Sequence, residues 1–140
     1  MIYAFFYIAL IHGKWKPGIS DELKIRFAGY NKGNYNFVPS ILYVISEGYE
    51  EQAKLIENKV KAMLYDYLEN PKYYNTPTEY VNPNYIMIDD AYIKAIVEQF
   101  ILDNNLSVSK IKSEYLTEAI KDTTFLDKVR MFPSKYTEPI

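Results

Sequence analysis

A run of ten apolar residues near the start of the chain constrains the fold more than any other feature of the sequence. Residues 2–11 read IYAFFYIALI, with aromatic and aliphatic side chains on both alternating faces. Such a segment predicts a strand in the interior of a sheet, covered on both sides. It is too short to span a bilayer and lacks the basic flank and cleavage site of a signal peptide. We therefore expect a chain that starts at Met1, has no membrane segment and is cytoplasmic.

The segments that follow predict an α+β arrangement. Pro17 cannot donate a ladder hydrogen bond, so the strand that contains it belongs at a sheet edge or carries a bulge. Ser20 is a suitable N-cap for the helix after that strand. The residue pattern predicts, in order, a second hairpin arm over Trp15–Ile19, a helix from Ser20 to about Tyr30, a strand over Ile41–Ser46 and a helix over Glu50–Glu69. Residues 70–84 contain three prolines and are expected to be irregular.

Helical periodicity dominates the remainder of the chain. The predicted helices cover Asp89–Leu102, Val108–Ile120 and Phe125–Met131. The sequence therefore divides into a core, residues 1–84, and a helical extension, residues 85–140. We expect the extension to pack on the core or to serve oligomerisation, for example in a homodimer. Its middle helix balances lysines against glutamates, which is a poor charge pattern for reading a DNA groove.

Composition excludes several classes of function. The chain has no cysteine, which excludes disulfides, iron–sulfur clusters, thiolate zinc sites and cysteine nucleophiles. A single histidine excludes any site with two imidazole ligands. The formal net charge is −2, so the chain does not hold polyanions by bulk charge. Positive charge is local, because residues 1–46 carry Lys14, Lys16, Lys24, Arg26 and Lys32 against Asp21 and Glu22.

Two charged residues lie where the helical pattern places the core. Glu57 falls inside the apolar arc of the second predicted helix, and Arg26 lies beside the apolar face of the first. A buried carboxylate is costly unless it is paired, hydrogen-bonded or bound to a cation. Three interpretations stay open. Glu57 lies at the edge of its stripe, or forms a structural salt bridge with Arg26, or binds a cation while the guanidinium fork of Arg26 binds an oxyanion.

The order of these parts resembles the GIY-YIG nuclease domain over residues 1–84. Phe5-Phe6-Tyr7 corresponds to the first signature and Lys16-Pro17-Gly18 to the second. Arg26 follows Gly18 by eight residues and Tyr30 follows Arg26 by four, which agrees with the spacing in that family.

Two later features extend the resemblance. Glu57 lies on the helix where the family carries its metal-binding glutamate. Pro77-Thr-Glu-Tyr-Val81 resembles the closing segment of a phage and bacterial branch whose second signature reads Lys-x-Gly. For the asparagine that the family carries late in the domain, Asn75 and Asn82 are the candidates.

The resemblance implies a fold, a reaction and a set of site residues. The implied fold is α+β, with a small three-stranded antiparallel sheet, its first strand in the middle, flanked by helices. The implied function is a metal-dependent endonuclease that hydrolyses phosphodiester bonds, in DNA more than in RNA, in the host cytoplasm if the chain is phage-encoded. The implied site comprises Tyr7 to activate water, Arg26, Lys16 and Gly18 to bind phosphate, Tyr30 to position water or phosphate, and Glu57 to hold one Mg²⁺ or Mn²⁺.

Two alternatives remain at this point. The first signature lacks its glycine, and Lys16 occupies a position where many members have tyrosine. A catalytically degenerate relative would bind nucleic acid or a partner protein without cleavage. In the other alternative, Arg26 and Glu57 are a structural pair in an unrelated α+β domain.

Overall fold

The computed structural model describes residues 4–12, 14–45, 50–65 and 90–140, and it forms one antiparallel five-stranded sheet with helices on both faces. The strand order is β2-β1-β3-β4-β5. In chain order the elements are β1 Ala4–Ile11, β2 Lys14–Ser20, α1 Leu23–Tyr30, β3 Ile41–Ile45, α2 Glu50–Tyr65, α3 Asp90–Asp103, β4 Val108–Ile111, a 3₁₀ turn Ser113–Tyr115, α4 Leu116–Ala119, α5 Phe125–Met131, α6 Pro133–Tyr136 and β5 Thr137–Glu138.

The first strand occupies the interior position that its apolar run predicts. β1 pairs with β2 on one side and β3 on the other, so that Tyr7 lies opposite Gly18 and also opposite Leu42. β2 is an edge strand, which confirms the position expected from Pro17. The interior position follows because a strand with apolar side chains on both faces is stable only when both faces are covered.

Alternation along β1 divides the core into two layers. On the α1 face, defined by Phe5, Tyr7 and Ala9, the sheet packs against Leu23 and Phe27 of α1 and against the C-terminal helices. On the α2 face, defined by Phe6 and Ile8, it packs against α2 and α3, through Ala53, Ile56, Val60, Ile93, Val97 and Ile101. Helices α1 and α2 therefore lie on opposite faces of the sheet.

The prediction of a three-stranded sheet is wrong, because the C-terminal part adds two strands. Val108–Ile111 was expected to begin a helix, but it forms β4 and pairs with β3, with Tyr43 opposite Lys110. β5 then pairs with β4. Without β4, one edge of β3 would present unpaired backbone groups next to a buried apolar strand, and the chain covers that edge with its own residues. Residues 85–140 are consequently not wholly helical.

Other local predictions hold with adjusted ends. The helices expected over 89–102 and 125–131 are confirmed as α3 and α5, while the last part of the 108–120 segment forms only the short α4. Helix α1 begins at Leu23 rather than at Ser20, because Ser20 completes β2 and its hydroxyl accepts a hydrogen bond from the Glu22 amide at 3.0 Å. In the described part of the chain, no helix is long and apolar enough to cross a membrane.

Some predictions fall on residues that the structure does not describe. These are the irregular segment 70–84, the closing segment Pro77–Val81, the candidate asparagines Asn75 and Asn82, and the last part of the helix expected to reach Glu69.

Candidate active site

Tyr7 is the centre of the candidate site and is fully buried in β1 on the α1 face. Its ring meets the Phe27 ring edge-on, with centroids 5.1 Å apart, which fixes the ring against helix α1. Its hydroxyl oxygen lies 2.6 Å from the hydroxyl oxygen of Tyr30. The same Tyr7 oxygen accepts a hydrogen bond from Nη1 of Arg26 at 3.2 Å. The buried Tyr7 hydroxyl therefore keeps its hydrogen bonds, because Arg26 and Tyr30 of one helix provide them.

Gly18 makes room for this tyrosine. It is the cross-strand neighbour of Tyr7 on the edge strand β2. A Cβ atom at this position would overlap the Tyr7 hydroxyl and come within 2.7 Å of ring atom Cε2. The requirement for glycine is thus steric, and it gives a physical reason for a residue that the sequence analysis named only through the second signature.

Arg26 and Tyr30 lie one turn apart on α1 and complete the cluster. Arg26 is exposed and its Nη2 also approaches the Ile19 carbonyl oxygen at 3.4 Å, which places its guanidinium at the edge of β2. Partial burial alone would lower the pKa of Arg26, but its interactions with Tyr7 and Tyr30 raise the pKa above the usual value. The group is cationic at any working pH.

Tyr30 is a neutral hydroxyl group at neutral pH. Burial, followed by its hydrogen bond to Tyr7, raises the pKa of Tyr30 well above the ordinary tyrosine value, while Lys16 and Arg26 act in the opposite direction. Tyr30 can donate or accept a hydrogen bond, but it does not serve as a phenolate base. Lys16 lies near this hydroxyl, since its charge affects the Tyr30 pKa, and it lies opposite Ala9 on the α1 face. The structure thus brings Tyr7, Lys16, Gly18, Arg26 and Tyr30 together.

Glu57 is not in contact with this cluster. It lies on α2, on the other face of the sheet, where its carboxylate forms an ion pair with Lys61 at 2.7 Å and is 14% exposed. The spacing of four residues between Glu57 and Lys61 is the signal by which the sequence analysis could have found this partner. Arg26 and Glu57 do not form the salt bridge that the sequence left open. Arg26 donates to the Tyr7 hydroxyl, and Glu57 pairs with Lys61.

The flank of α2 on which Glu57 lies faces away from α3. The Gln52 side chain accepts a hydrogen bond from the amide of Ser107, in the segment that follows α3. The Lys59 ammonium group lies over the Phe100 ring of α3. At 100° per residue, Glu57 lies about 140–160° around the helix from those two residues. Helix α2 packs on β1 and β2. Arg26 therefore lies at the edge of β2 on one face of the sheet, and Glu57 lies on the other face, on the side of α2 away from α3.

Glu57 offers a divalent ion one carboxylate. In the residues that the structure describes, no three acidic, histidine or cysteine side chains gather as a metal site. One carboxylate, with water and substrate phosphate as the other ligands, is sufficient for Mg²⁺. The carboxylate is paired with the Lys61 ammonium group, so an ion at Glu57 would have to displace that lysine. The donor chemistry at Glu57 therefore fits a magnesium or manganese ion.

Comparison of the chain with models of known protein families, with curated proteins and with solved structures found no match.

Proposed function

We propose that the chain is a metal-dependent endonuclease that hydrolyses phosphodiester bonds, in DNA in preference to RNA. The observation that supports this most directly is the contact of Arg26 and Tyr30 with buried Tyr7 beside Gly18, at the exposed edge of β2. These are the residues that carry the GIY-YIG resemblance. Their convergence is not required by the sequence spacing, because Tyr7 and Tyr30 are 23 residues apart.

Arg26 has the chemistry to bind the scissile phosphate. Its guanidinium is exposed, and its hydrogen bonds to Tyr7 and to the Ile19 carbonyl hold it in position. A planar fork of donors matches two phosphate oxygens and neutralises charge that develops during hydrolysis. Lys16 adds a second positive charge on the same face of the sheet.

The two tyrosines orient the attacking water through a chain of hydrogen bonds from the water to Tyr30 and from Tyr30 to Tyr7. Tyr30 is half-buried and faces the cluster, so its hydroxyl can accept a hydrogen bond from water while it remains bonded to Tyr7. Tyr7 is too deeply buried to touch water itself and acts through Tyr30 and Arg26. Glu57 would hold the divalent ion, which when bound supplies Lewis-acid stabilisation of the leaving oxygen.

Nicking of supercoiled plasmid DNA tests the proposal. We expect Mg²⁺-dependent nicking by the wild type, no nicking in EDTA, and rates at least about 100-fold lower for Arg26→Ala and Glu57→Gln, because the first removes the cation proposed to bind the phosphate and the second removes the carboxylate proposed to hold the ion. Lys24→Ala on α1 and Glu51→Gln on α2 are matched controls, since both residues are exposed on the same two helices. Both controls should nick at the wild-type rate.

A folded wild type without nicking in Mg²⁺ or Mn²⁺ would contradict hydrolysis. A Glu57→Gln variant with wild-type nicking would contradict the role of Glu57 as the residue that holds the ion. Circular dichroism of every variant separates loss of activity from loss of fold.

A second candidate function is binding of nucleic acid or of a partner protein without cleavage. The specific observation in its favour is the ion pair of Glu57 with Lys61 on the face opposite Arg26. This alternative predicts DNA binding that Arg26→Ala weakens, Glu57→Gln leaves unchanged, and no divalent ion converts to cleavage.

A further inference from the structure

Three aromatic rings form an exposed cluster at the tip of the β1–β2 hairpin, outside the candidate active site. Tyr35 and Phe37 are stacked, with ring centroids 5.4 Å apart and an interplanar angle of 18°. The His12 ring meets both of them at steep angles, with centroid distances of 4.6 and 4.9 Å. Tyr35 is 51% exposed. The cluster, His12–Tyr35–Phe37, thus presents an aromatic surface to solvent.

The loop that carries Tyr35 and Phe37 is held in one conformation. The Asn31 side chain accepts a hydrogen bond from the Phe37 amide at 2.6 Å and donates one to the Phe37 carbonyl oxygen at 3.0 Å. Gly33, with a φ of 81°, turns the chain against the Tyr35 ring. Because the rings are positioned before any ligand arrives, binding costs little conformational entropy.

The position of the cluster relates it to the candidate active site. Asn31 directly follows Tyr30, and Phe37 packs on the α1 face with Tyr30. His12 lies five residues beyond Tyr7, about 17 Å along β1 at the usual rise per residue. Lys16 is on the same face between the two sites, and Lys32 is exposed on the loop. Positive charge therefore runs from Arg26 toward the aromatic cluster.

We propose that the His12–Tyr35–Phe37 cluster is a stacking platform for an unpaired base of a nucleic-acid strand whose backbone runs past Lys16 to Arg26. Flat aromatic rings beside a positively charged track are the combination that binds single-stranded nucleic acid, because every base has a face that can stack. Within a base-paired duplex the faces of the bases are stacked on one another, so none is free to stack on the cluster. This inference rests on the proposed function and specifies its substrate, a strand with an unpaired segment next to the phosphate that Arg26 binds.

Binding of a labelled duplex with a single-stranded thymidine tail, compared with the blunt duplex in EDTA by fluorescence anisotropy, tests the platform. We expect the wild type to prefer the tailed DNA, and Tyr35→Leu to weaken its binding at least about fivefold while binding of the blunt duplex changes little. Tyr35→Phe keeps the ring and should bind as the wild type does. Phe132→Leu is the matched control, because Phe132 is 54% exposed elsewhere on the surface.

Equal binding of both DNAs by the wild type, an unchanged affinity of Tyr35→Leu for the tailed DNA, or an equal loss in Tyr35→Phe would overturn the platform. The outcome is separable from that of the hydrolysis experiment. Nicking by a wild type whose Tyr35→Leu variant binds normally removes the platform alone, whereas ring-dependent binding without nicking removes hydrolysis alone.

Discussion

Burial of Tyr7 requires space for its ring and hydrogen-bond partners for its hydroxyl. Its ring fills the space above Gly18, and its hydroxyl is bonded to Tyr30 and Arg26. Phe27 blocks the ring from the side of α1. Because the Tyr7 ring is packed against these neighbours, position 18 has no room for a side chain.

Gly18→Ala should lower the free energy of unfolding by about 1–3 kcal/mol, the usual cost of forcing extra atoms into a packed site. Gly29→Ala is the matched control with the opposite sign. Gly29 lies in α1 with no atom within 4 Å of the position of a Cβ, so alanine there should stabilise the protein by about 0.5–1 kcal/mol. Urea denaturation measures both changes. A neutral Gly18→Ala variant would show that the Tyr7 ring can move.

At the scale of an element, α5 illustrates stabilisation from outside the helix. The Asp122 carboxylate accepts hydrogen bonds from the amide of Thr124 at 2.8 Å and from its hydroxyl at 2.6 Å, just before the helix begins. The ammonium group of Lys128, one turn inside, bonds to the other carboxylate oxygen. The bond to Lys128, followed by those to Thr124, lowers the pKa of Asp122 to about 2.

This lowered pKa predicts a pH dependence of stability. Because the carboxylate is stabilised in the folded state, its contribution is present above the unfolded pKa of roughly 4 and is lost as the pH falls toward about 2. Asp122→Asn should therefore be less stable than the wild type at pH 7, and the difference should shrink between pH 4 and pH 2. Lys128→Met should reproduce most of this effect in denaturation experiments. A difference that stays constant with pH would contradict the assignment.

At the scale of the whole molecule, the C-terminal residues complete the layer that contains Tyr7. Ile111, Ala119, Ile120, Phe125, Val129 and Tyr136 all belong to the core of the α1 face. The Phe125 ring lies 6.0 Å from the Phe5 ring of β1 and 5.4 Å from the Tyr136 ring. Strands β4 and β5 extend the same sheet. The cluster around Tyr7 therefore belongs to a core layer that residues 111–136 complete.

This packing predicts that the chain unfolds in one transition. Phe125→Ala should lower the free energy of unfolding by about 3–5 kcal/mol, as for other buried phenylalanines. The shift should be the same when followed by fluorescence of Trp15, the single tryptophan, which is buried on the α2 face, and by circular dichroism. Phe132→Ala, at an exposed position, should change stability by less than about 0.5 kcal/mol. An unshifted Trp15 transition in Phe125→Ala would mean that the two parts unfold separately.

Local patterns predicted the elements better than their assembly. The interior position of β1, the edge position of β2, and helices α3 and α5 follow from apolar runs, Pro17 and helical periodicity. The helix predicted from Val108 failed because Val108 and Ile111 have the i,i+3 spacing of a helix face, whereas pairing with β3 decided in favour of the strand. The convergence of Arg26 and Tyr30 is consistent with their spacing of four residues, but the close approach of Tyr7 to Gly18 depends on strand register.

The sequence by itself determined which segments are buried, where the edge strand lies, and that Arg26 and Tyr30 share one face of a helix. Only the tertiary structure decided that the sheet has five strands, that Glu57 pairs with Lys61, and that the helices carrying Arg26 and Glu57 lie on opposite faces of the sheet. The physical reason is that periodicity along a chain indicates which side of an element is covered, whereas the identity of the covering element depends on contacts between residues far apart in sequence.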